Sequence, residues 1–324
     1  MPTILDSSMP EGTRTGIIVL QLFYGLFFII GIFENILVFP EIKKNKGRQN
    51  LTANKVLMLH LTFADLFILI TFTPALFYVD FDVEYSTMIA CRVIIPMITF
   101  YPFLRVSTQV VIAIERRRAI VTPLKTRFSK RAVAVMLSLC WLLSAVLTVP
   151  VMYNASTVGP LSCSEDKNQN KNYRIAFYTL RTAISLMIPL VIIAVCYIQA
   201  ALALRKSRFC VLKDLSETST YQREASRQQH VRVCKAFSIM VAVFAFSTGP
   251  LNVICMWVAF GSGKYKPLED QALFCFVANF PLLFTSFLDP IVYGAYCRRG
   301  FWLKKAWCGI MHWKRNSFTL SDKK

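Results

Sequence analysis

A chain of 324 residues that is 55% hydrophobic, with mean hydropathy +0.48, is too apolar for a soluble protein of that length and points to a single membrane bundle. The net charge of +19 does not indicate nucleic acid, because the basic residues gather at the ends of apolar runs and not on one water-facing surface. Ten cysteines without a CxxC pair or metal-ligand spacing exclude a zinc or thiol-redox module, and most fall inside the apolar runs as fillers.

Residues 1–15 are short and polar, with no basic n-region and cleavage site before the first apolar run, so that run is expected to be retained. Seven runs follow, at about 16–39, 54–78, 91–118, 132–153, 173–204, 230–260 and 271–293. Each is long enough to cross about 30 Å of hydrocarbon as a helix rising about 1.5 Å per residue. A basic loop with Lys43, Lys44, Lys46 and Arg48 follows the first run, and the acidic turn Asp80, Asp82, Glu84 follows the second. The third ends in Glu115 and three arginines, and a polar loop at 154–172 follows the fourth. Residues 205–229 read as a polar basic loop before the sixth run.

Taking these runs as spans, 28 of the 37 Lys and Arg, against six acids, fall on one side of the membrane. The other side holds seven basic and nine acidic residues. This asymmetry places the N-terminus outside. The domains expected are an outer N-terminus at 1–15, a bundle at 16–296, an amphipathic helix on the inner face at 297–311 and a tail at 312–324. Asn154-Ala-Ser156 then lies outside as a glycosylation acceptor, whereas Asn50-Leu-Thr52 lies in the cytosol. No internal repeat is evident, which disfavours transporters built from duplicated halves, and no catalytic triad, metal or phosphate-loop constellation stands out. Ionisable residues inside spans are expensive and mark functional hypotheses; here they include Asp65, Arg105, Arg181 and Asp289.

Several motifs in register resemble the rhodopsin-like G-protein-coupled receptors over about residues 16–310. They are Glu34-Asn35, the Leu61-Thr-Phe-Ala-Asp65 segment, Cys91 with Glu115-Arg116-Arg117 25 residues on, and Pro123-Leu124. Trp141, Pro189 with Tyr197, Pro250, and Asp289-Pro-Ile-Val-Tyr293 complete the series. The resemblance implies an all-α bundle of seven transmembrane helices with a short amphipathic eighth. It implies a multi-pass plasma-membrane receptor that couples an extracellular ligand to a heterotrimeric G protein and is not an enzyme.

At the residue level, the resemblance implies a disulfide between Cys91 and Cys163 over the ligand mouth. Arg116 is expected to pair with Glu115 at rest and to meet the G protein when freed, with Pro123, Leu124, Tyr197 and Tyr293 supporting the active form. His230 stands where some relatives have a second acid, which argues against an ion lock between helices. Pro189, Pro250 and Pro290, with Phe244, are expected as hinges, since each proline removes a helix hydrogen bond. Ser247 and Thr248 replace the family's Cys-Trp pair, leaving Phe244 or Phe246 to supply bulk beneath the ligand. Cys308, with Cys297 a weaker candidate, is a juxtamembrane palmitoylation site or a free thiol.

Arg105 lies 11 residues before Arg116, where relatives carry a small hydroxyl residue that helps hold a sodium ion. A guanidinium there would bridge Asp65 and Asp289 beside Asn35 and replace the mobile ion, either as a regulatory device or as a static bridge. No other cofactor or metal is expected. Ile98 replaces the aspartate of amine receptors and Leu283 the retinal lysine of opsins. Arg181 either faces the pocket, where it could pair with a carboxylate or a peptide C-terminus, or snorkels to the outer headgroups. Pro74 and the outer loop resemble peptide receptors, and Asp80, Asp82 and Glu84 could attract a basic peptide, so a peptide ligand is expected, with a lipid or other acidic small molecule next. A receptor-like protein that signals poorly and an ion-translocating protein are the further alternatives.

Overall fold

The computed structural model describes residues 11–44, 53–81, 88–122, 128–154, 156–157, 163–164, 170–211, 217–260 and 283–292. The helices are α1 (Glu11–Lys44), α2 (Ala53–Phe81), α3 (Met88–Val121) and α4 (Lys130–Asn154). The fifth span is one continuous helical rod made of α5 (Lys171–Thr182), a π turn (Ala183–Met187) and α6 (Ile188–Val211). The sixth is α7 (Glu217–Phe260), and α8 (Leu283–Val292) is the described part of the seventh. Between α4 and α5, β1 (Ser156–Thr157) pairs antiparallel with β2 (Cys163–Ser164).

In hydrocarbon a segment must satisfy its own backbone hydrogen bonds, so long apolar runs become helices. Four stretches are apolar and long enough to span by length and composition: Gln21–Phe39, Lys130–Tyr153, Lys171–Lys206 and Arg227–Trp257. Their large apolar side chains point outward in number, with Leu22, Ile29, Leu142, Val191 and Trp257 all exposed. A water-soluble bundle would bury such a belt; a bilayer solvates it.

α3 is the axis of the bundle. It touches α2, α4, α6, α7, the π turn and both strands. Its inner half anchors a core with Leu57, Leu61, Ile112, Leu137 and Phe237. A second cluster joins Tyr24, Ile68, Leu69, Tyr101 and Leu283. A third, Val106 with Leu186 and Phe244, lies between α3, the π turn and α7. At Gly31 of α1 a Cβ would sit 3.0 Å from Leu69 Cδ1, so the missing side chain sets how closely α1 meets α2.

The helices outrun the predicted spans. Residues 217–229, expected as loop, form the first turns of α7. That stretch holds Glu, Gln, Arg, Ala and Ser with no Gly or Pro, and a Glu224–Arg227 pair at 2.5 Å ties one turn to the next. The loop expected at 154–172 contains the two short strands, and α5 begins within it at Lys171, where Asn170 caps the helix by accepting from the Asn172 N–H at 3.0 Å. Pro96 and Pro102 both lie inside the continuous α3. The amphipathic segment 297–311, together with Pro123, Leu124, Tyr293, Cys297 and Cys308, lies outside the described residues.

Candidate functional site

The polar centre of the bundle is built from four helices. Tyr101 and Arg105 are one turn apart on α3 and therefore share a face. Asp65 comes from α2, Asn35 from α1, and Thr285, Ser286 and Asp289 from α8. All seven are 4% exposed or less. Arg105 Nη1 donates to Asp65 Oδ1 at 3.0 Å and to the Tyr101 hydroxyl at 2.8 Å. Its Nη2 pairs with Asp289 Oδ2 and lies 3.5 Å from the Thr285 carbonyl. One arm of the fork thus serves each carboxylate. The Tyr101 hydroxyl donates to Asp65 Oδ1 at 2.6 Å and shares a hydrogen bond with Ser286 Oγ at 2.6 Å. Asn35 Nδ2 donates to the Gly31 and Ser286 carbonyls at 2.9 and 3.1 Å. The result is a charged junction that pins α1, α2, α3 and α8 at one depth. The forked bridge expected from the sequence is present; Tyr101 and Ser286, which complete it, were not singled out.

Toward the inner end of α3, Arg116 is buried and pairs with Glu115 of its own helix at 3.0 Å. Its guanidinium carbon lies 5.9 Å from the centroid of the Phe237 ring on α7. Tyr197 of α6 packs against the cluster of Ala113, Ile193 and Cys196. The next residue, Arg117, donates from Nε to Gln199 Oε1, a tie between α3 and α6 that the sequence did not suggest.

In the outer half, Arg181 turns into the bundle. Its Nη2 donates to Thr99 Oγ1 of α3 at 2.8 Å, so the guanidinium reaches a buried side chain and not the outer headgroups. Beside it, Thr182 Oγ1 donates to Asn252 Oδ1 of α7 at 3.2 Å. Thr248 folds its hydroxyl onto the Phe244 carbonyl at 2.5 Å. Phe244 is buried with Val106 and Leu186, while Phe246 is 84% exposed, so Phe244 supplies the bulk at this level. Pro250 lies inside α7, and Asn252 Nδ2 donates to the Thr248 carbonyl at 2.9 Å across it. The π turn ends at Met187, one residue short of Pro189, with the intervening Ile188 N–H reaching back to the Ala183 carbonyl. Leu283 is fully buried in the Tyr24–Tyr101 cluster, away from Arg181. Pro290 belongs to α8 next to Asp289.

Cys163 is in β2, opposite Thr157, and both strands touch α3; the side chains of Cys91, Cys163, Ile98 and Asn154 lie outside the described ones. Trp141 gained a partner not foreseen: its Nε1 donates to His60 Nε2 at 2.8 Å, linking α4 to α2 amid Phe63, Phe67 and Phe100.

The sequence profile of the family described as "7 transmembrane receptor (rhodopsin family)" matches residues 34–293. The chain is 25% identical over 220 residues to the D(2) dopamine receptor A of Xenopus laevis, covering 65% of this chain and 48%, about half, of that receptor. It is 24% identical to the gonadotropin-releasing hormone receptor of Ovis aries, over 90% of this chain and 92% of that one. It is 25% identical to galanin receptor type 1 of Mus musculus, over 83% and 76%. The crystal structure of squid rhodopsin superposes with a TM-score of 0.71 at 20% identity, covering 93% of this chain and 87% of the other, which speaks for the fold. With an arginine–carboxylate junction at its centre and Arg116 at its inner end, the chain belongs to the rhodopsin family of seven-transmembrane receptors, as a multi-pass plasma-membrane G-protein-coupled receptor and not an enzyme.

Proposed function

We propose that the chain binds an extracellular peptide with its N-terminus outside and passes the signal to a heterotrimeric G protein through Arg116. The observation that carries this reading is the inner end of α3. Arg116 is buried, paired with Glu115 at 3.0 Å and overlaid by Phe237 of α7, so moving α7 away would uncover a charged donor. Ligand binding outside would shift the bundle between two such arrangements. The matches over 92% of the receptor named for gonadotropin-releasing hormone and 76% of the receptor named for galanin, against 48% of the dopamine receptor, support a peptide ligand over an amine. The Arg105 fork on Asp65 and Asp289 supports a fixed structural cation at the centre in place of a mobile sodium ion, and it leaves little ground for an ion path there.

The test is nucleotide exchange on G proteins in membranes bearing the chain, screened against a peptide library, with Arg116→Ala beside it. A peptide response lost in the variant supports the reading. A response that survives Arg116→Ala, or exchange no greater than in membranes without the chain, defeats it.

A further inference from the structure

One acidic side chain lies outside both the central junction and the Arg116 end, on the rim of α1. Glu34 precedes Asn35, which faces the junction, so Glu34 is turned about 100° from it around the helix axis. It lies two turns further along α1 than Phe27, and residues seven apart share a helix face. The Phe27 ring meets those of Phe284 and Phe287 of α8 at 6.0 and 5.4 Å, so Glu34 falls on the flank of α1 toward the seventh span. The residue is half-buried, and its Oε2 is buried with no hydrogen-bond partner among the described residues. Beside it runs the outward stripe of α1, where Leu22, Leu26, Ile29, Phe33 and Ile36 are all exposed at helical spacing.

A carboxyl in hydrocarbon is costly, and one that finds no donor within its own bundle is best matched from outside it. Glu34 is five residues from Phe39, where the apolar stretch Gln21–Phe39 ends, a helix rise of about 7.5 Å. At that depth a phospholipid headgroup amine is out of reach of the short glutamate side chain, whereas the long stem of a lysine or arginine on a neighbouring helix is not. A second copy of this chain offers no cation there: Arg105 is held by Asp65 and Asp289, and Arg181 reaches Thr99 in the outer half. We propose that the lipid-facing side of α1 around Glu34 docks a transmembrane helix of a second protein, one carrying a lysine or arginine opposite this carboxyl. Lipid tails are as apolar as the ridge of Leu26, Ile29, Phe33 and Ile36, so packing against that ridge alone selects no partner. A charge-assisted hydrogen bond to Glu34 supplies both the choice of partner and its register.

The experiment reconstitutes the full chain, carrying a fluorescent donor at its N-terminus, into phosphatidylcholine vesicles with acceptor-labelled synthetic helices. The probes are polyleucine helices of about 23 residues, long enough to span, with lysine, leucine or glutamate at the central position. The lysine helix should associate with the native chain about tenfold more tightly than the leucine helix, and the glutamate helix should gain nothing. Glu34→Gln should lose most of that preference and Glu34→Leu all of it. Both variants should unfold in detergent at or above the native temperature, because the buried oxygen they replace bonds nothing among the described residues. Equal association of the lysine and leucine helices, a lysine preference that survives in Glu34→Leu, or a large fall in the unfolding temperature of both variants would overturn the docking site. Energy transfer between copies of the native chain that disappears in Glu34→Gln would make a second copy the occupant and overturn it as well. These readouts need no G protein, so the nucleotide-exchange result stands or falls separately.

Discussion

Arg105 is the residue whose loss should be felt most, because it is the one cation lying on both Asp65 and Asp289 among the described residues. Removing one partner of a buried ion pair leaves an uncompensated charge and costs about 3–5 kcal/mol, whereas replacing a whole charged set by neutral groups of similar size costs far less. Arg105→Met should therefore sharply lower the temperature at which the detergent-solubilised receptor unfolds. Adding Asp65→Asn and Asp289→Asn should restore much of the loss. If the triple variant is no more stable than Arg105→Met, the charge argument is wrong. A tethered cation also predicts that exchanging sodium chloride for choline chloride leaves the native unfolding temperature unchanged; a sodium shift that vanishes in Asp65→Asn would refute it. The three charged members of this junction were legible in the sequence because a charge in an apolar run is rare. Tyr101, Ser286 and the His60 partner of Trp141 were not, since hydroxyls and single imidazoles are ordinary in spans. They become site members only when faces of different helices meet.

Among the elements, the fifth span and the α1–α2 contact show where geometry exceeds periodicity. The π turn at Ala183–Met187 sets the face on which Arg181 lies, and nothing in the apolar pattern announces it. Deleting Ile184 takes out the residue that the π turn adds, so the turn should return to α geometry with the outer part of the helix kept in nearly its present register. Arg181 should then keep its reach to Thr99, and the deletion variant should unfold near the native temperature in detergent. A large drop in that temperature would show that the π turn does more than absorb one extra residue. At Gly31 the neighbour of a new Cβ is the flexible tip of Leu69, so Gly31→Ala should be tolerated. Gly31→Leu must push the helices apart at a cost of about 1–3 kcal/mol, readable as a lower unfolding temperature. Span edges were less legible than spans. Hydropathy marks where lipid ends, but α7 continues to Glu217 because nothing in 217–229 breaks a helix.

At the scale of the whole molecule, the expected orientation follows from 28 of the 37 Lys and Arg falling on one side, and that asymmetry was readable before any helix was placed. It distinguishes two otherwise equivalent acceptor sequences. Asn154 is the last residue of α4, on the side predicted to be outside, and Asn50 comes after α1 in the sequence, on the side predicted to be cytosolic. Glycosylation takes place only on chain that has crossed to the luminal side, so the two sites report orientation independently of any function. In mammalian cells the receptor should migrate faster after glycosidase treatment, Asn154→Gln should abolish that difference, and Asn50→Gln should leave it intact. An N-terminal epitope should be reached by antibody on intact cells and a C-terminal one only after permeabilisation. Modification at Asn50 in place of Asn154 would invert the bundle, put Arg116 outside the cell and remove the basis for assigning it to the G protein.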